Sequence, residues 1–398
     1  MMAHNREAES SAAEESAVGS ERDVRRDRST GRLVSLDAFR GATIAGMILV
    51  NNPGSWSYVY APLRHAEWHG WTPTDLIFPF FLFIVGVAMP ISFGRRLQRG
   101  DSRRELMKHV VRRSAILFGL GLFMRLYPTF SDWDTLRIMG VLQRIAVVYL
   151  IASILYLTLQ QRGRWTAVAV LLLGYWALMT LVPVPGSGAG DLSAEGNLGA
   201  FLDRLILGQD HLWQQNPWDP EGLLSSLPAV ATTLLGIFTG EWITSGRSAL
   251  IKVRGLLLAG IIGIVVGMLW HQLFPINKNL WTSSYVVFTA GMALLIFGLF
   301  YWTIDVRGWR TWSKPFVVYG MNAIAVFVAS GLMTKTLVRW RIPIEGGETT
   351  SAYSWIYQNV FASWAGPLNG SLAFAISYIL FWLAIIWILY WRKIFIKI

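Results

Sequence analysis

The chain has 398 residues, 54% of them hydrophobic, with 20 tryptophans and no cysteine; its apolar residues fall in blocks of about 20, the length that crosses a bilayer. Without a thiol there is no disulfide framework, no cysteine nucleophile and no cysteine-based metal site. A net charge of +11 would point to nucleic acid in a soluble protein, but in a membrane chain lysine and arginine report topology first, so no nucleic-acid partner is read from it.

Residues 1 to 31 are rich in Ser, Ala, Glu and Arg and hold no apolar run, so they read as a disordered cytoplasmic tail rather than a signal peptide. The expected division is a tail over 1–32 and one transmembrane domain over 33–398. Ten apolar segments follow the tail: 34–53, 73–93, 107–127, 138–159, 165–183, 223–243, 253–273, 280–303, 315–335 and 369–391. Each is long enough to cross as a helix, and lipid admits only helices or closed barrels. The expected fold is therefore an all-α polytopic integral membrane protein with about ten transmembrane helices.

Orientation follows from the basic residues. With both termini inside, a single inner turn collects Arg95, Arg96, Arg99, Arg103, Arg104, Lys108, Arg112 and Arg113, while the outer loops hold scattered cations such as Arg64, Arg137, Arg204 and Lys278. That asymmetry obeys the positive-inside rule and puts His65 and the loops 184–222 and 336–368 outside. No internal repeat is visible, which disfavours a transporter built on inverted repeats.

The polar residues within this apolar frame mark a site. Asp37 and Arg40 lie three apart on one helical face and read first as an ion pair locking two helices. Asn51 ends the first helix, His65 stands in a loop with Trp56, Trp68 and Trp71, and Asp75 opens the second helix. Converging, these three would supply an amide donor, a base and a carboxylate to orient it. The plainer alternatives are an interfacial histidine and two helix caps. Gln143 and Arg144 lie inside the fourth segment, where a fixed charge costs about 3 kcal/mol on insertion scales; Arg144 should face a water-filled or anionic-ligand-filled cavity, or a buried carboxylate. His271 and Asn322 read as groups that satisfy a neighbouring helix.

In order, DAFRG, VNN, HAEWHGWTPTDLIFPFFLFIVG, LRIMGVLQR, NPWDPEGLLSSLPAVATTLLG, FPINKNLWTSSYV and PFVVYGMNAIAVF resemble the heparan-α-glucosaminide N-acetyltransferase family, the lysosomal enzyme and its bacterial relatives. The resemblance runs from about Leu33 to the ninth segment. It implies a transmembrane acyltransferase, here of a bacterial inner membrane with both termini cytoplasmic, that moves acetyl from cytoplasmic acetyl-CoA to an amino sugar at the outer face. It implies no metal and a homodimer. The family's catalytic histidine falls on His65, in a motif from His65 to Gly70, and its partner asparagine on Asn51. His69 stands where the family carries an asparagine, and the spacer after Asn51 is longer, which bears on the identity of the acceptor.

The implied chemistry sorts the remaining candidates. An amine attacks a thioester only when unprotonated, so the site needs a base near neutral pH and donors for the developing oxyanion, roles read onto His65 and Asn51. Direct transfer is favoured over an acetyl-imidazole on His65, although one histidine serves either scheme. The phosphates of CoA call for Arg144, Gln143 and Arg40 within the membrane and Arg95 and Arg96 at its inner edge. Trp68, His69, Trp213, Trp218, Asp219 and Glu221 suit a sugar, the alternative for any one tryptophan being the interfacial belt. Two other functions stay open: an envelope O-acyltransferase acting on a polysaccharide or lipid, and a transporter of sugars or acyl donors.

Overall fold

The structure, a computed structural model, describes residues 32–344 and 348–396. All but Arg32 of the expected tail lies outside the described residues. The long helices are α1 Val34–Asn51, α2 Ile77–Gln98, α3 Arg103–Leu126, α4 Val141–Thr158 and α5 Gln161–Leu181, then, after a short helix α6 Leu198–Leu207, α7 Ser226–Thr244, α8 Ala249–His271 and α9 Ser283–Phe300. A broken pair, α10 Lys314–Met321 and α11 Ala323–Arg339, is followed by the short α12 Ala352–Ile356 and by α13 Ser363–Trp391. Two small antiparallel ribbons, Pro183–Val184 with Gly188–Ala189 and Arg341–Pro343 with Thr349–Ser351, sit in the loops.

A helix occupies each of the ten expected segments, but among the described residues only six helices are long and apolar enough to cross a membrane, or seven if the broken pair is one span. Length and composition by themselves support six or seven crossings of the ten expected. The helices that fall short are polar for visible reasons. Asp37 and Arg40 lie in α1, Arg103, Arg104, Lys108, Arg112 and Arg113 in α3, and Thr232, Thr233, Thr239 and Glu241 in α7.

Tight links join α2 to α3, α4 to α5 and α7 to α8, so these ends lie together, and the long loops 52–72, 127–140, 182–225 and 272–282 gather at the opposite end. There they bond to one another: Gly70 N–H donates to the Ile276 carbonyl at 2.7 Å, the Trp68 indole to the Leu192 carbonyl at 2.8 Å, and Ile138 N–H to the His211 carbonyl at 3.1 Å. Gly70 has φ +100°, a backbone conformation that favours glycine.

The core is built around α2, whose Phe78, Phe80, Phe81, Leu82, Phe83, Ile84 and Val87 are all buried. Against α7 the two backbones touch: a Cβ on Gly86 would stand 2.0 Å from the Thr233 carbonyl oxygen, and one on Gly236 2.1 Å from that of Phe83. Such close approach by small residues is how helices associate where lipid removes the hydrophobic drive. By contrast α8 leaves Leu258, Ile261, Ile262, Val265 and Leu269 exposed, the surface of a helix meant for an apolar solvent.

Two polar readings change in detail. Asn322 does not sit inside one helix: α10 and α11 meet there at 72°. Its side chain accepts from Ile396 N–H at 2.8 Å and donates to the Ile394 carbonyl at 3.3 Å, so the break is tied to the segment that follows α13. His271 accepts from Ile276 N–H at 2.8 Å, holding the loop after α8 and not a neighbouring helix.

The chain's lack of cysteine gives a clean test of orientation. With a single cysteine in place of Ser187, in the loop-rich end, an impermeant thiol reagent should label intact cells; with one in place of Arg99, at the other end, it should label only after permeabilisation. Both positions are exposed. The reverse pattern would invert the assigned sidedness.

Candidate active site

Asp75 lies in a short 3-10 turn, Pro73–Leu76, that leads into α2, and its two oxygens do different work. Oδ2 accepts from the backbone N–H groups of Thr72 at 3.0 Å and Ala66 at 3.1 Å and from the Thr72 hydroxyl at 3.1 Å, which is the capping role expected of an aspartate there. Oδ1 lies 2.6 Å from His65 Nδ1. An ionised carboxylate only accepts, so Nδ1 carries the proton and Nε2 is left as the acceptor. The pair is asymmetric in exposure: the aspartate side chain is 1% exposed and the imidazole 45%, so a buried carboxylate orients a ring that reaches the surface.

A second loop backs this one. Lys278, half-buried between α8 and α9, places Nζ 3.3 Å from His65 Nε2. Asn277 Nδ2 lies 3.4 Å from His69 Nδ1; burial, then the nearby charge of His271, holds the His69 imidazole below its usual range. Tyr285, buried at the start of α9, donates to the Asp75 carbonyl. Asn51 behaves differently: it is exposed at the end of α1 and its side chain makes no hydrogen bond among the described residues, whereas its neighbour Asn52 is buried and accepts from Thr334 at 2.6 Å. The convergence expected of three residues is shown for His65 and Asp75 and not for Asn51.

Beside these loops lies a small pocket lined by Trp68, Trp218, Asp203, Tyr175, Ser225 and Asn279 among others. Trp68 and Trp218 meet edge to face at 5.0 Å and Trp213 packs on Trp218 at 5.3 Å. Asp219 and Glu221 stand behind them, bridged by Arg137: its guanidinium donates to Asp219 at 2.9 Å and 2.5 Å and also to Glu221. Burial alone would push the Glu221 carboxyl up, but Arg137 and then Arg144 take it below the ordinary range. These carboxylates are thus tied within the protein, and Asp203 is the buried carboxyl with a freer edge. Its Oδ1 accepts from Leu223 N–H at 2.8 Å, and burial, reinforced by Asp219, pushes it up to about 7.

The cations read as CoA ligands divide between the two ends. Arg144 is fully buried near the pocket, donating to the Gly222 carbonyl at 3.0 Å and to the Ser225 hydroxyl, with its guanidinium 5.1 Å from the centre of the Trp281 ring. Nε and Nη1 of Arg144 have no hydrogen-bond partner among the described residues. Gln143, buried beside it, fills the space over Gly121 and Gly140. At the opposite end Arg40 pairs with Asp37 at 3.2 Å and donates to the Gly320 carbonyl, and Arg96 pairs with Asp101 at 2.6 Å next to Arg95. Among the described residues no cluster of three or more acidic or histidine side chains could hold a metal ion.

Comparison with known proteins now bears on the site. The family described as heparan-alpha-glucosaminide N-acetyltransferase, catalytic, matches residues 32–274. The chain belongs to that family. Among its curated members, the human heparan-alpha-glucosaminide N-acetyltransferase is 30% identical over an alignment of 423 residues that covers 92% of this chain and 60% of the human one. The mouse enzyme is 29% identical over 428 residues, covering 94% and 61%. This chain therefore spans about 60% of the length of these relatives. The family match contains His65, His69, Asp75, Arg144 and the DPEG run from Asp219 to Gly222, and ends just before Lys278.

Sequence reasoning missed Lys278, Asp203 and Arg137 as parts of this region. The signal for Lys278 was present, a polar NKN run in the short linker between two apolar segments, but nothing local says which loop it faces.

Proposed function

We propose that the chain is a membrane acetyltransferase that moves acetyl from acetyl-CoA to the amine of a glucosamine-type sugar, in a bacterial cytoplasmic membrane with both termini inside. The observation that carries the reading is the His65–Asp75 pair, 2.6 Å apart, with the imidazole 45% exposed; family membership supports it. The amine lone pair attacks the thioester carbonyl carbon, the C–N bond forms, and the carbonyl π pair moves to oxygen. Nε2 of His65 takes the proton the amine must lose, while Asp75 steadies the resulting imidazolium. When the oxygen pair returns, the C–S bond breaks and the imidazolium proton passes to sulfur, leaving an amide, CoA thiol and a neutral His65.

Other residues take roles by position. Trp68, Trp218, Asp203 and Asn279 wall a pocket suited to a pyranose face and its hydroxyls, and His69 follows Trp68 in the chain. Arg95 and Arg96 offer the cations that CoA phosphates need, and the uncommitted nitrogens of Arg144 leave it able to accept one more anionic contact.

The test is purified protein with labelled acetyl-CoA and glucosamine. Expected are one equivalent of free thiol per acetyl transferred and a product stable to mild alkali, as an amide is. An alkali-labile ester would favour O-acylation, and accumulation in vesicles without any transfer would favour transport.

A further inference from the structure

The imidazole of His65 already has a neighbour. Lys278 Nζ lies 3.3 Å from Nε2 and 3.4 Å from Nδ1, and the turn that carries it is fixed. Asn277 Oδ1 accepts from Leu280 N–H at 2.9 Å, Asn277 N–H donates to the Thr282 hydroxyl at 3.1 Å, and Trp281 N–H donates to the Lys278 carbonyl at 3.1 Å. Trp281 itself is fully buried. An atom giving its proton to Nε2 sits about 3 Å away, and a carbonyl carbon bonded to that atom comes within reach of Nζ. Asn51, the donor that the sequence assigned to the oxyanion, is exposed, and its side chain makes no hydrogen bond among the described residues.

We propose, resting on the reading of His65 as the base, that the Lys278 ammonium is the charge that stabilises the oxyanion of the tetrahedral intermediate. As the thioester π pair moves onto oxygen, an ammonium N–H bonds to it; when the pair returns and the C–S bond breaks, the ammonium is unchanged, and no proton of Lys278 is consumed. The charged and titratable groups around Nζ are His65 and Asp75 from the α1–α2 loop and the start of α2, Glu221 and Arg137 from the loops beside the pocket, and Arg144 from α4. Burial pushes the lysine below its ordinary range. Glu221 and Asp75 oppose that fall, and Arg144 and Arg137 add to it. The ammonium is therefore lost at lower pH than that of a free lysine, and the rate should fall with it on the alkaline side.

The experiment is kcat at saturating acetyl-CoA and glucosamine, from neutral to alkaline pH, for the full chain in detergent. Lys278→Met should lower kcat about 100- to 1,000-fold, the range for one lost oxyanion donor, with KM for either substrate little changed. Lys278→Arg keeps a charge that does not titrate; it should recover part of kcat and move the alkaline fall to higher pH. Near-wild-type kcat in Lys278→Met overturns the proposal, and so does an alkaline fall in Lys278→Arg that coincides with wild type. If Lys278→Met does not fold, the arginine variant decides alone. His65→Ala separates the two ideas: its retained turnover would sink the base assignment, whereas a dead His65→Ala beside an active Lys278→Met sinks only the role of Lys278.

Discussion

His65→Ala should reduce acetyl transfer by about 100- to 10,000-fold, the contribution of a positioned general base, while the protein stays folded and binds acetyl-CoA. The expectation of a folded variant is physical. The imidazole is 45% exposed and stands on a loop, so its truncation opens no core cavity. The carboxylate it leaves behind keeps three other donors, from Thr72 and Ala66. Asp75→Asn should be the more damaging change to structure and a comparable one to rate. An amide in that place can offer Nδ1 an N–H, which reverses the tautomer and turns Nε2 into a donor. His69→Ala, one step further along the motif, should alter KM for the sugar and leave kcat nearly intact. Turnover at saturating substrates, with acetyl-CoA binding measured separately by calorimetry, compares the three. Near-wild-type turnover in His65→Ala beside a dead His69→Ala would mean that the wrong imidazole has been assigned.

Arg137→Met should destabilise the fold by about 3–5 kcal/mol, because it strips the counter-charge from two buried carboxylates at once. Asp219 and Glu221 both close on that guanidinium, and their side chains are 0% and 7% exposed. Asp219 accepts in addition from the backbone N–H groups of Trp213 and Glu221, so the arginine anchors the loop that carries Trp213 and Trp218 against the pocket. The sign of the pH dependence follows. In the wild type Glu221 is held below its ordinary range, so its contribution to stability is present above the unfolded carboxylate value and disappears as pH falls through the folded one. With the arginine gone the buried acids fold better protonated, and Arg137→Met should gain stability relative to wild type as pH is lowered. Thermal unfolding in detergent measures both effects. Adding Asp219→Asn and Glu221→Gln to Arg137→Met should return much of the loss; no recovery would show that the arginine acts through packing and not charge.

What the sequence by itself determined is whatever repeats along the chain at short range. The apolar blocks placed a helix at all ten segments, because backbone satisfaction in an apolar solvent leaves helix as the local solution. The spacing of Asp37 and Arg40 foretold their pairing, since residues three apart share a helix face, and Asp75 was legible both as a cap and as the partner of a histidine ten residues away. The number of crossings was less so: polar side chains in α1, α3 and α7 are tolerated when they face other helices, and hydropathy does not say which way they face. The tertiary structure alone decided the rest. Lys278 meets His65 across 213 residues of chain, Arg137 joins Asp219 across 82, and the Asn322 side chain, at the break between α10 and α11, bonds a carbonyl and an N–H from beyond α13. Asn51 shows the same limit from the other direction, for its place at a helix end was readable but its exposure was not. Contacts of this kind form where long loops close over one end of a bundle, and the energy that selects them lies in charges and hydrogen bonds brought together by the fold, with no periodic trace in the residues between.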